Sequence, residues 1–263
     1  MTDTAPRPRF RLFVEAPLAA GTAVVLNRDQ THYLTSVMRA DIGEMVLLFN
    51  GTDGEWLARI AALAKAGAAL VPERQTRPQA SEPDLWLLAA PLKKDRTDLV
   101  VEKAAELGVS RLWPVFTRRT NAGRVNTDRL RAHLMEAAEQ CERLTVPQLA
   151  EPAALDKVLA EWPAERVLLF LDEGGGGPPL AEVLNGLPPG PLALLVGPEG
   201  GFDAEERRLI AAKPFARAVG LGPRILRAET AAIAALAVVQ ALKGDWRSPP
   251  SRAPETSNSM KPP

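Results

Sequence analysis

The chain has 263 residues, 46% of them hydrophobic, with 32 Lys and Arg balancing 32 Asp and Glu. That length calls for one large or two smaller domains with sizeable cores, and the balanced charge excludes a global field of the kind that marks strongly basic nucleic-acid binders. The lone Cys141 and two isolated histidines, His32 and His133, exclude a disulfide framework and a His/Cys metal site; without a signal peptide or long apolar run, a cytoplasmic chain with no membrane span and no metal is expected.

Residues 9–14 alternate basic and large apolar side chains and predict a first strand; 22–26 predict a second. Apolar residues at 33, 34, 37 and 38 have helical spacing over 31–39. Asp41-Ile-Gly43 turns into a strand at 45–49, Asn50-Gly-Thr-Asp-Gly54 reads as a hairpin loop, and 56–60 return. With 68–71 closing the sheet, residues 1–76 form a small β-rich domain. The stretch 73–84 is polar, carries Pro78 and Pro83 and lacks periodicity, so a linker is expected, assigned to 77–84.

The second domain is expected over 85–246. An apolar strand at 85–90, a helix at 97–108 capped by Thr97 and stopped by Gly108, and a strand at 112–116 form a parallel βαβ unit. From Lys93 to Arg131 ten Lys or Arg stand against five Asp or Glu. The excess lies partly in two loops that carry Lys93, Lys94, Arg96, Arg118, Arg119 and Arg124. These suit RNA phosphates, or simply a solvated basic surface. The helix 127–141 places Leu130, Leu134, Ala138 and Cys141 on one face, so Cys141 reads as packing rather than as a nucleophile. A helix at 156–161 and a buried strand at 167–171 follow, the strand ending at Asp172-Glu173. Gly174-Gly-Gly-Gly177 has neither the dinucleotide nor the P-loop spacing and reads as a flexible loop.

Residues 192–196 are an unbroken apolar strand that stops at Gly197-Pro-Glu-Gly-Gly201. Asp203 and Glu206 then form a capping-box-like helix start. A second strand, 216–219, runs into Gly220-Leu-Gly-Pro-Arg-Ile-Leu-Arg-Ala-Glu-Thr230 and an alanine-rich helix over 231–243. Two glycine-proline turns, each leaving a strand, suggest two loops meeting at one site, where α/β proteins bind ligands. Residues 247–263, rich in Pro, Ser and charge, are expected to be disordered. No internal repeats appear.

GPEGG followed by LGPRILRAET resembles the signature of the SPOUT methyltransferases, and more narrowly that of the ribosomal RNA small-subunit methyltransferase E family. Two further stretches match that family, HYLTSVMRADIGEMVLLFNGTDGEW at 32–56 and EKAAELG at 102–108. Near 139–143 the family usually carries EQ, a small residue and then Arg. This chain keeps Glu139, Gln140 and Arg143 with Cys141 and Glu142 between them. The resemblance implies an α/β fold with a carboxyl-terminal SPOUT-type parallel sheet tied in a trefoil knot, plus an amino-terminal PUA-like RNA-binding β-barrel. It implies S-adenosyl-L-methionine (SAM) as cofactor, N3 of a uridine in 16S rRNA as methyl acceptor, and a homodimer formed through the carboxyl-terminal domain.

On that reading Leu171, Glu173, Val196, Gly197, Pro198, Glu199, Gly200, Gly201, Leu221, Gly222, Ile225, Leu226, Arg227 and Thr230 are the cofactor-binding candidates. Glycine turns let backbone groups reach an adenine edge, and Leu221, Ile225 and Leu226 would sandwich its ring. Glu199 suits ribose hydroxyls or the sulfonium field, with loop pinning as the alternative. Gly197, Gly200 and Gly222 are expected where a side chain would collide with SAM or require positive φ. Thr230 is the expected helix cap. The uridine imide carries a proton at neutral pH, so a cation beside its carbonyl oxygens would stabilise the imidate. Arg227 is the first candidate and Arg224 the next, with phosphate binding as the alternative for both. Glu229 is the candidate base, with helix-dipole stabilisation as its alternative. RNA contacts are expected from Arg9, Arg11, Arg39, Arg143 and Arg224 as well as the two basic loops. The dimer is expected through the last helix, whose Ile233, Leu236, Ala237, Val239 and Leu242 cover much of its circumference. Two alternatives stay open: a SPOUT enzyme acting on another RNA position such as a ribose 2′ oxygen, and a non-catalytic RNA-binding module.

Overall fold

The computed structural model describes residues 8–64 and 67–248. Of the disorder expected over 247–263, residues 249–263 lie outside that description, as do the first seven residues, whereas Arg247 and Ser248 continue a turn in which the Ser248 N–H donates to the Asp245 carbonyl. The amino-terminal domain contains β1 (Phe10–Phe13), β2 (Val24–Val25), α1 (Arg28–His32) running into a π-helical turn (Tyr33–Val37), β3 (Met45–Phe49), β4 (Glu55–Ala64) and β5 (Gly67–Arg77). Its strands form a curled sheet in the order β1-β3-β4-β5-β2, antiparallel except for β1 beside β3. Phe10, Leu12, Leu34, Val46, Leu48, Ile60 and Leu70 fill its interior. The helix starts before the expected residue 31 because Asn27 caps it and Gln30 reaches back to the cap. Residues 73–77 belong to β5, which corrects the linker expected from Glu73. Glu55 pairs with Arg77 across three register shifts, and those irregularities hide the strand's alternation.

The second domain runs β6 (Leu85–Ala89), α2 (Lys94–Glu106), β7 (Arg111–Phe116), α3 (Thr127–Gln140), β8 (Gln148–Leu149), β9 (Ala153–Ala154), α4 (Leu155–Ala160), β10 (Val167–Leu171), α5 (Leu180–Gly186), β11 (Leu192–Val196), α6 (Ala204–Ala211), β12 (Ala216–Val219) and α7 (Ala228–Leu242). The sheet is parallel throughout, in the order β12-β10-β11-β6-β7-β8, with β9 also on β7. Successive side chains of a strand face opposite layers, and the two cores divide accordingly. Leu87, Leu169 and Leu194 face a layer with Val101, Leu134, Leu184 and Leu236, whereas Leu88, Leu168 and Leu195 face Leu159, Phe202 and Ile210. Every residue of β11 is buried, as expected of a central strand covered on both sides.

Two helix starts differ from expectation. Lys93, not Thr97, occupies the cap position of α2; the Thr97 hydroxyl instead ties to the Leu92 N–H and carbonyl. The last helix starts at Ala228 with Arg227 in the cap position, so Thr230 is an exposed residue of its first turn and not its cap.

Arg11 joins the domains. Its buried guanidinium pairs with Glu55 at 2.8 Å, stacks over Phe49 and donates to the carbonyls of Ala138 and Arg143 at the end of α3. Arg77 pairs with the same Glu55 and donates to the carbonyl of Glu142, a residue at φ 64°. Burial pushes the Cys141 thiol up, which suits packing and not nucleophilic chemistry. No helix among the described residues is long and apolar enough to cross a membrane.

Candidate cofactor and RNA site

The carboxyl ends of β6, β10, β11 and β12 lie along one edge of the sheet, since Ala89 pairs with Val196, Phe170 with Leu195 and Leu171 with Val219. Three glycine-bearing segments leave that edge: 172–179, 197–203 and 220–227. They enclose a cleft of about 630 Å³, within the size range of small-molecule sites. Its floor is apolar (Leu171, Val196, Val219, Leu221), while its rim carries Glu173, Glu199, Arg224 and Arg227. Gly175, Gly201 and Gly222 take positive φ, at 76°, 66° and 94°, so backbone groups are presented where a side chain would cost strain.

Ion pairs and a hydrogen bond hold the first two of these segments together. Glu173 accepts from the Phe202 N–H at 3.1 Å and from Arg207 at 2.5 Å, and Arg207 also faces Asp172 at 3.4 Å. The second segment is therefore braced against the first. From the loop after β7, Arg119 donates to the Gly200 carbonyl at 2.8 Å. Its neighbour Arg118 pairs with Asp203 and Glu205 at the start of α6. The Asp203 carboxyl is held below its usual range, first by the Glu206 N–H, with Arg118 adding to the effect. Arg96 reaches Glu199 at 3.2 Å and Glu229 at 3.6 Å.

Residues 80–240 match the model of an RNA methyltransferase domain, and 26–73 match that of an RNA methyltransferase PUA domain. The chain is 32% identical to ribosomal RNA small subunit methyltransferase E of Rickettsia conorii, over 88% of this chain and 95% of that one. It belongs to the ribosomal RNA small subunit methyltransferase E family. The family protein of Synechocystis is 31% identical over 89% of this chain and 78% of its own. Among solved structures, a putative methyltransferase of Legionella pneumophila in complex with SAM superposes with a TM-score of 0.81 at 31% identity, covering 91% of this chain and 100% of that one. The family member of Neisseria gonorrhoeae, bound to S-adenosyl methionine, superposes at 0.80 with 29% identity, covering 90% and 98%.

The cleft suits the cofactor that defines this methyltransferase family. An apolar floor and glycine backbones suit an adenine and a ribose, while the rim carboxylates are already paired, Glu173 with Arg207 and Glu199 with Arg96. Of the cofactor candidates, Leu171, Glu173, Val196, Gly197, Pro198, Glu199, Gly201, Leu221, Gly222, Ile225, Leu226 and Arg227 line it. Gly200 and Thr230 do not. Gly200 has no positive φ, and a Cβ there would meet Arg119 only at ordinary contact distance, 3.5 Å. Ile225 lines the cleft but is 89% exposed, so it sits on the rim and not within a sandwich.

The RNA candidates divide by placement. The side chains of Arg11 and Arg143 are buried. Arg143 pairs with Glu82 and donates to the Ala105 carbonyl. Both hold the fold, which corrects their expected surface role. Arg96 and Arg118 are committed to carboxylates. Arg9, Arg39, Lys93, Lys94, Arg124 and Arg224 are exposed. Sequence reasoning missed Arg207 and the brace it forms with Glu173, because the partners lie 34 residues apart on different elements.

Proposed function

We propose that this chain transfers a methyl group from SAM to N3 of a uridine in the 16S rRNA of the small ribosomal subunit, in the cytoplasm and as a homodimer. The observation that carries this reading is the cleft built from both motif loops, with Arg224 and Arg227 at its rim and no ion-pair partner for either among the described residues. When bound, the cofactor supplies an electrophilic methyl on a sulfonium. The chain's own work is to orient the base, exclude water and stabilise charge. Arg227 is assigned to the carbonyl oxygens of the uridine, where its charge favours the deprotonated imide. Arg224 and the exposed Arg39, Lys93, Lys94 and Arg124 are assigned to RNA phosphates.

Two features support the rest of the reading. The Gly220 N–H donates to the Pro178 carbonyl and the Leu180 N–H to the Gly220 carbonyl, so the last loop runs parallel to 178–180 beside the β10–β12 pair, an arrangement consistent with a knotted path. Along α7, Leu236 and Val239 are spent on the chain's own core and Val238 and Leu242 pack against it, but Ile233 and Ala237 stay half-buried outside it, and beyond the helix Trp246 is 53% exposed. A second copy would cover them. The test is mass mapping of modified nucleosides in 16S rRNA from a deletion strain, with and without the restored gene. Methyluridine unchanged by deletion would refute the assignment, and a monomer in sedimentation at micromolar concentration would refute the dimer.

A further inference from the structure

Glu229 follows Arg227 closely in sequence but does not share its surroundings. Arg227, Ala228 and Ala231 line the cleft and Glu229 does not. Helical spacing accounts for this, because Ala228 and Ala231 lie on one face and a residue between them is turned away from it. The Glu229 carboxylate instead faces Arg96 in the first turn of α2. Its side chain is 11% exposed, and its Oε2 is buried without a hydrogen-bond partner among the described residues. Arg96 Nε stands 3.6 Å from its other oxygen. The same guanidinium uses Nη1 to hold Glu199, in the centre of the GPEGG loop, at 3.2 Å.

We infer that Arg96 is a positioning residue: its single guanidinium locks the GPEGG loop onto the first turn of α7, and Glu229 serves that lock instead of taking the acceptor's proton. This deepens the reading of the cleft as a SAM site and rests on it. A buried carboxylate is costly without a counter-charge, and here that charge is shared with a loop carboxylate 30 positions earlier in the chain. The geometry asks for arginine. Two separate nitrogens of a planar fork face two carboxylates, a division that a lysine ammonium does not reproduce. Both elements joined by the lock line the cleft, so loosening it lowers cofactor affinity without removing any group that touches the acceptor.

The test uses the full chain in five forms: wild type, Arg96→Ala, Arg96→Lys, Glu229→Gln and the Arg96→Ala/Glu229→Gln double variant. SAM affinity is read by titration calorimetry, and single-turnover methylation of small-subunit rRNA at saturating SAM is followed against pH. Arg96→Ala is expected to weaken SAM binding about tenfold, with Arg96→Lys in between. Glu229→Gln should weaken it comparably, and the double variant should be no worse than Arg96→Ala, as for two members of one interaction. The rate of Glu229→Gln should keep the wild-type pH dependence. The inference is overturned if Glu229→Gln binds SAM like wild type yet loses rate and flattens the pH profile, or if Arg96→Ala binds SAM undiminished. A wild-type chain that binds no SAM overturns instead the reading of the cleft, and the inference with it.

Discussion

The carboxylate of Glu173 occupies the space that a side chain on Gly201 would need. Gly201 also sits at φ 66°, so the backbone favours glycine there, and any side chain would have to displace the Glu173 carboxylate from Arg207. Gly201→Ala is expected to cost about 1–3 kcal/mol of local strain and weaken SAM binding about 10–100-fold. Gly200→Ala, free of both constraints, should bind within a few-fold of wild type. Calorimetry on the pair decides it; equal losses would show that the loop is not organised by the Glu173 brace.

For Arg227 the expected signature is kinetic. Arg227→Ala should lower single-turnover rate about 10²–10³-fold while SAM and RNA affinities change little, because the charge it meets develops only as the imide proton leaves. The rate should rise with pH, and the variant should shift that rise to higher pH. Arg227→Lys should recover part of the loss. A full rate with weakened RNA binding would make this residue a phosphate clamp.

Glu139 gives the domain interface a pH dependence. Its Oε1 accepts the Phe13 N–H at 2.9 Å, yet burial raises the carboxyl from 4.5 to about 7, against the opposing hydrogen bond and the charge of Arg11. A raised carboxyl binds its proton more tightly folded than unfolded. Its stabilising contribution is therefore complete below pH 4.5 and is lost as pH rises to about 7. The loss should be about 1–2 kcal/mol once solvent screening of this half-buried group is allowed for. Glu139→Gln keeps the acceptor and removes the charge, so its melting temperature should exceed wild type at pH 8 and match it at pH 4.5. Identical pH slopes in the two proteins would remove Glu139 as the cause.

Arg11 should matter through the fold and not through RNA. Truncating one partner of a buried ion pair costs about 3–5 kcal/mol, and Arg11→Met also strands the α3 carbonyls. Since Arg77 still holds Glu55, the lower end, about 3 kcal/mol, is expected in urea unfolding. RNA affinity measured under folding conditions should keep its salt dependence. A reduced salt slope with unchanged stability would return Arg11 to the RNA surface.

Much of this protein is written in short-range sequence signals. The unbroken apolar run 192–196 became β11, Asp203 and Glu206 formed the capping box of α6, and both glycine-proline turns were legible as loops leaving strands. Such features depend on periodicity and on backbone groups a few residues apart, which sequence displays directly. Tertiary structure decided which charges are available. Arg11, Arg96, Arg118, Arg143 and Arg227 look alike in sequence. One clamps the domains, one bridges Glu199 and Glu229, one braces α6, one is buried against Glu82, and Arg227 alone of the five stands at the cleft without a carboxylate partner among the described residues. The reason is physical: an arginine's role is set by the carboxylate or carbonyl that folding brings within hydrogen-bonding reach, and those partners lie tens of residues away along the chain.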